Sequence, residues 1–225
     1  MPVMDEFKKE RETMKHASFS KKLEYFKDYY LVKTLLILFV AILGGSYLHS
    51  VLTAKKTALY VTLVNFTAMK ESDDELLQPF AEQSINTRRE RIVLDHSSYI
   101  SSDKNEADFV KYGYEDEQRL FSMVMTGEID LLITGEDVID RYAEQEWFDD
   151  VRNILSETEY AALEQENRIL FRNQVPIAIQ MNTDSILTEY YYYNGKPGVT
   201  LYAGFPAGGA HQKLGAEFVR YLQTK

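Results

Sequence analysis

The chain has 225 residues, of which 45% are hydrophobic and 27% charged, with a formal net charge of −10 and no cysteine. That composition suits a globular domain and excludes disordered, collagen-like and polytopic chains. The acidic balance excludes nucleic acid as the main partner. The lack of cysteine excludes disulfide scaffolds, zinc-thiolate sites, thiol nucleophiles and a cysteine-anchored lipoprotein.

Charge is spread unevenly. Residues 1–33 carry eight Lys/Arg and six Asp/Glu, residues 34–54 carry none, and residues 55–225 have a net charge of −12. Residues 1–17 are polar and lack a clear period. From Ser20 the text SKKLEYFKDYY sets Leu23, Phe26 and Tyr30 at helical spacing with Lys21, Lys22 and Lys27 elsewhere. This predicts an amphipathic juxtamembrane helix in the headgroup layer, its lysines within reach of anionic lipid.

Thr34 to Ala54 (TLLILFVAILGGSYLHSVLTA) is the apolar stretch between the two charged ends. At about 1.5 Å per residue, a helix this long reaches roughly 30 Å, the thickness of a bilayer core. Thirty-three residues before the run, and Leu52-Thr53-Ala54 before the following lysines, argue for an uncleaved anchor over a signal peptide. Five Lys/Arg fall in 13–33 against three in 55–75, which predicts a cytoplasmic amino terminus. The expected domains are thus a cytoplasmic tail (1–33), a transmembrane helix (34–54) and an extracytoplasmic domain (57–225).

In that domain, ALYVTLVNF (58–66) reads as a strand buried on both faces. Ser72-Asp-Asp-Glu75 reads as a capping box opening a helix to about Asn86, and RIVLDH (91–96) as the next strand. Residues 97–114 read as a loop. A helix follows over 115–126, stopped by Gly127, then a strand over 129–134 and a helix from Gly135 to about Gln145. Ser156-Glu-Thr-Glu159 is a second capping box, for a helix to about Asn167. Strands are predicted within 169–181 and over 199–203, and a last amphipathic helix over 210–223 with Leu214, Phe218 and Leu222 on one stripe. This order predicts an α/β fold, a mostly parallel sheet with helices on both faces.

GEIDLLITGEDVIDRYAEQEWFDDV (127–151) resembles the segment of extracytoplasmic solute-binding proteins in which a strand leads into a helix and an aromatic turn. GVTLYAGFPAGGAHQKLGAEFVRYL (198–222) is similar to their closing strand, Gly-rich loop and carboxyl-terminal helix. KLEYFKDYYLVKTLL resembles a juxtamembrane motif of uncharacterised single-pass membrane proteins in clostridia-like bacteria. The resemblance implies a solute-binding-protein-like fold, shortened to one lobe, that binds or senses a small polar solute.

In an open parallel sheet, ligands sit beyond the carboxyl ends of the strands. The predicted ligand-binding residues there are Thr67, His96, Ser97, Thr134, Glu136 and Tyr202; the alternative is that these hydroxyls only cap turns. Gly204-Phe-Pro-Ala-Gly208-Gly209 precedes a helix but lacks the phosphate-loop Lys-Ser/Thr. Tyr190 to Tyr193 are four aromatics in a row, of which at least one must be exposed; with Trp147-Phe148 they read as core or as a stacking surface. Asp95-His96-Ser97 has the letters of a catalytic triad, but adjacent strand residues face opposite ways. No enzyme, cofactor or metal site is expected. The expected partners are the lipid bilayer and a small polar solute. The alternative is a non-catalytic interaction protein that docks another envelope protein.

Overall fold

In the computed structural model, residues 18–71, 73–100 and 114–224 are described. The chain divides into two compact units, Met1–Ala54 and Lys55–Lys225. The polar segment 1–17, Ser72 of the first capping box and most of the 97–114 loop lie outside the described residues.

The first unit contains α1 (Phe19–Tyr29) and α2 (Leu31–Thr53). At 100° per residue, Phe19, Leu23 and Phe26 fall on one face of α1. Lys22 and Lys27 flank that face, and Glu24 and Asp28 lie opposite. Between the helices, the Tyr30 ring stacks on Phe26 with centroids 6.3 Å apart. Over Leu31–His49, α2 is long and apolar enough to cross a membrane, and no residue of its apolar window is buried.

The second unit is α/β with a mixed six-stranded sheet. Its strands are β1 (Lys56–Val64), β3 (Glu90–Ser98), β4 (Leu131–Gly135), β5 (Ile169–Arg172), β6 (Val175–Gln180) and β8 (Leu201–Gly204), in the order β3-β1-β4-β8-β6-β5. A separate ribbon pairs β2 (Phe66–Ala68) with β7 (Tyr191–Tyr193). The helices are α3 (Asp74–Ser84), α4 (Tyr114–Met125), α5 (Glu136–Ala143), α6 (Glu157–Gln165) and α7 (Gln212–Gln223).

Leu59, Val61, Leu63, Leu131 and Ile133 pack with Leu76 and Phe80 of α3 and Phe218 and Leu222 of α7. Leu132 and Val64 pack instead with Leu120 and Val124 of α4 and Val138, Ile139 and Tyr142 of α5. Helices therefore cover both faces, as the alternating order predicts.

The sheet itself is less parallel than expected. Only β1–β3 and β1–β4 are parallel; β4–β8, β8–β6 and β6–β5 are antiparallel. Parallel neighbours need a crossover, which α3 and α4 supply. The run 169–181 instead folds back on itself at Asn173-Gln174, whose φ angles of 50° and 68° match the two-residue hairpin turn. β8 is antiparallel because the chain leaves β7 at the carboxyl-end rim of β1 and re-enters the sheet from that side, pairing Leu201 with Gly135.

Local signals hold where they are strongest. Gly127 ends α4 at φ 69°, where a Cβ would lie 2.6 Å from the Gly208 carbonyl oxygen. Ser156 and Glu159 form both halves of the capping box on α6.

Candidate functional site

β1 has β3 on one side and β4 on the other, and α3 and α5, which follow β1 and β4, lie on opposite faces. Chain leaving the carboxyl ends of β1 and β4 therefore diverges, and the divergence opens a crevice between them. A cavity of about 690 Å³ occurs there. Asn65 follows β1, Tyr99 and Ile100 follow β3, and Asp137 lies in the first turn of α5 after β4; the far wall is Tyr192 to Gly198.

Asn65 fixes this rim. It takes a left-handed φ of 66°, which Asn tolerates better than most residues. Its Nδ2 donates to the Ile100 carbonyl at 2.8 Å, and its Oδ1 accepts from the Ile100 N–H at 2.7 Å. The Asn65 carbonyl also accepts from the Asn194 N–H at 2.7 Å, joining the far wall to the end of β1.

Tyr193 packs edge-on against Phe66 at 5.1 Å. Its hydroxyl lies against Gly135, near Asn65 and Thr134, without a well-formed hydrogen bond. Burial, and then the Asp137 charge, push this hydroxyl above its usual range, so it remains a neutral donor. Asp137 Oδ1 is buried and accepts no hydrogen bond among the described residues. The lining thus holds one carboxylate, one ammonium (Lys196), amides and a Tyr192 ring that is 63% exposed.

None of the six predicted residues lines this cavity, although several support it. Thr67 accepts from Asn194 Nδ2 in the far wall. Thr134 is buried and donates to the Val64 carbonyl at 3.2 Å, tying β4 to β1 beneath the crevice. His96 packs on the Tyr191 ring at 5.4 Å. Ser97 donates to Asp95 Oδ1 at 2.5 Å and accepts from Arg119 at 2.7 Å. Asp95 and Ser97 therefore meet while His96 contacts Tyr191, and the three form no relay.

Glu136 and Tyr202 come together elsewhere. Arg172 pairs with Glu136 at 2.8 Å and with Asp140 at 2.6 Å. The Tyr202 hydroxyl is raised by burial and then by the Glu136 charge.

The Gly-rich loop 204–209 lies at the opposite end of the sheet, because β8 runs antiparallel to β4 and Gly204 pairs with Leu132. Ala207 and Gly209 donate their N–H groups to Trp147 and Pro206 carbonyls, and the His211 N–H goes to Asp130 Oδ1 at 2.7 Å. Trp147 and Phe148 are buried, with Trp147 stacked on Tyr142 at 4.0 Å, so they form core and not surface.

The ligand set read from the sequence leaves out three parts of this lining: Asn65, which the strand-end rule reaches, Asp137, and the 194–198 wall. Asn65 sits one place past the strand, and Asn194-Gly195 signals a turn. Nothing local in the sequence links that turn to the end of β1. A second groove, of about 410 Å³, lies between α6 and α7 over Ile179, with Glu159 paired to Arg220 on its rim. Among the described residues no group of three His, Asp or Glu could hold a metal ion. No protein-family model, curated protein or solved structure matches this chain.

Proposed function

We propose that this is a single-pass membrane protein whose carboxyl-terminal domain binds a small polar solute outside the cytoplasm. The observation that carries the reading is the polar cavity at the diverging ends of β1 and β4, where open α/β sheets place ligands. Its volume suits a small molecule, and charges of both signs with aromatic and amide groups suit a polar one. Asp137 meets the solute's hydrogen-bond donors, and Tyr192 and Asn194 form the opposite wall. The resemblance of 127–151 and 198–222 to solute-binding proteins supports the same reading. α2 is the tether, α1 lies along the lipid headgroups through Phe19, Leu23 and Phe26, and the basic excess before the span sets the amino terminus in the cytoplasm.

The test is thermal unfolding of the full chain in detergent against amino acids, short peptides, sugars and anions. A solute at 100 times its Kd adds about 2.7 kcal/mol, roughly 5–10 °C for a domain of this size. A saturable shift that Asp137→Asn weakens supports the proposal. A chain that melts cooperatively and ignores the whole panel supports the interaction protein instead. Single cysteines placed before and after α2 in this cysteine-free chain, labelled in intact cells with a membrane-impermeant thiol reagent, report the orientation. Labelling before the span would overturn it.

A further inference from the structure

β3 is an edge strand: it pairs with β1 on one side, and among the described residues no strand pairs with its other side. Exposed edges are usually blunted by brevity, proline, lysine or a bulge. β3 has nine residues, with neither proline nor lysine. Its ladder with β1 shifts register twice, between the Arg91 and Ile92 pairs, where β1 carries the extra residue, and between those of Asp95 and Ser98, which leaves Ile92 to Asp95 as the uninterrupted run. Ile92, Val93 and Leu94 in its middle are only half-buried.

We propose that this edge pairs with the β3 edge of a second copy of the chain, antiparallel about a two-fold axis through Val93, so that one sheet runs through both protomers. The charges choose the register. About that axis Arg91 stands opposite Asp95, Ile92 opposite Leu94, and Asp95 opposite Arg91, so each dimer gains two opposite-charge cross-strand pairs. A slip of one residue one way sets Glu90 against Asp95, two like charges. A slip the other way sets Asp95 against Ile92. Either slip also moves each side chain to the other face relative to its partner.

The Asp95 side chain is 11% exposed and incompletely paired. Its Oδ1 is taken by Ser97, but its Oδ2 has only long contacts, 3.4 Å to the Tyr60 hydroxyl and 3.4 Å to Arg119. A charge-assisted bond is ordinarily nearer 2.7–2.9 Å, roughly half an ångström shorter. Ile92 and Leu94 already pack against the core cluster that includes α3 and α7, so the same pair from the second copy extends an existing apolar face. The arrangement is isologous and closes as a dimer.

The chain has no cysteine, so Val93→Cys introduces its only thiol. Opposite residues of an antiparallel pair have Cα atoms about 4.5–5.5 Å apart, within disulfide range. Mild oxidation of full-length V93C in detergent should convert most of the chain to a covalent dimer. Glu82→Cys, on the exposed side of α3, serves as the off-axis control and should remain monomeric. Adding Arg91→Glu to V93C sets like charges together and should cut the cross-link at least several-fold. Light scattering should likewise show the unsubstituted chain as a dimer and R91E as a folded monomer. Equal cross-linking of V93C and E82C, indifference to Arg91→Glu, or a monomeric unsubstituted chain would each overturn the proposal.

Discussion

Asn65 and Ile100 exchange two hydrogen bonds, amide to backbone in both directions, at 2.8 and 2.7 Å. The pair locks the exit from β1 to the exit from β3 and gives the cavity a fixed corner. Asn65→Ala leaves a buried N–H and a buried carbonyl unpaired and puts a Cβ-bearing residue without a local hydrogen bond at positive φ. The expected loss is about 2–4 kcal/mol. Asn65→Gly relieves the backbone part alone and should lose less. Urea midpoints of the three proteins check this, and an alanine variant within 0.5 kcal/mol, a rough limit for a neutral surface change, contradicts it.

Gly135 leaves space for Tyr193. A Cβ there would collide with the Tyr193 hydroxyl and stand 2.7 Å from Asp137 Oδ1. Gly135→Ala is expected to cost about 1–3 kcal/mol by overpacking. Adding Tyr193→Phe removes the offending oxygen and should recover part of that loss in a double-mutant cycle. Strictly additive effects would mean that the two residues do not meet.

The tyrosines set an alkaline limit. Burial first, then the Glu117 charge, raises the Tyr142 hydroxyl; burial, then the hydrogen bond to Asp73, raises that of Tyr191. In the unfolded chain both ionise near the ordinary value of about 10. Their folded values are higher, so their contribution is fully present below pH 10 or so and is lost as pH rises through the folded values. The melting temperature should fall steeply above about pH 10, and less steeply in Tyr142→Phe. A flat profile through pH 11 contradicts this.

α6 fully buries none of its residues, so its amino-terminal cap is a large share of its local stability. Ser156 Oγ accepts from the Glu159 N–H at 3.3 Å, and Glu159 Oε2 accepts from the Ser156 N–H at 3.0 Å. Ser156→Ala should cost about 1 kcal/mol. Faster amide exchange confined to 157–165 is the expected signature; unchanged exchange there would mean that packing alone holds the helix.

Signals read from neighbouring residues were legible in the sequence, and those that depend on pairing at long range were not. The Ser156 box, the Gly127 stop and the apolar run of β1 each depend on residues within one turn or one strand. The hairpin at Asn173-Gln174 was hidden because it lacks the glycine that usually marks such a turn. The direction of β8 depends on where β7 leaves the chain, and β7 is placed by pairing with β2, more than a hundred residues earlier. The cavity follows the same logic. The rule that ligands gather at the ends of parallel strands points to the rim where this cavity lies, but Thr67 and Thr134 brace the wall whereas Asn65 and Asp137 line the space.

β8, the last strand in the sequence, lies between β4 and β6. During synthesis the β5–β6 hairpin therefore has no sheet to join until residues 201–204 have emerged. Until that moment β4 and β6 each present an unpaired edge, open to chaperones and proteases. A ribosome stalled just before Leu201 would hold a sheet with a gap in its middle.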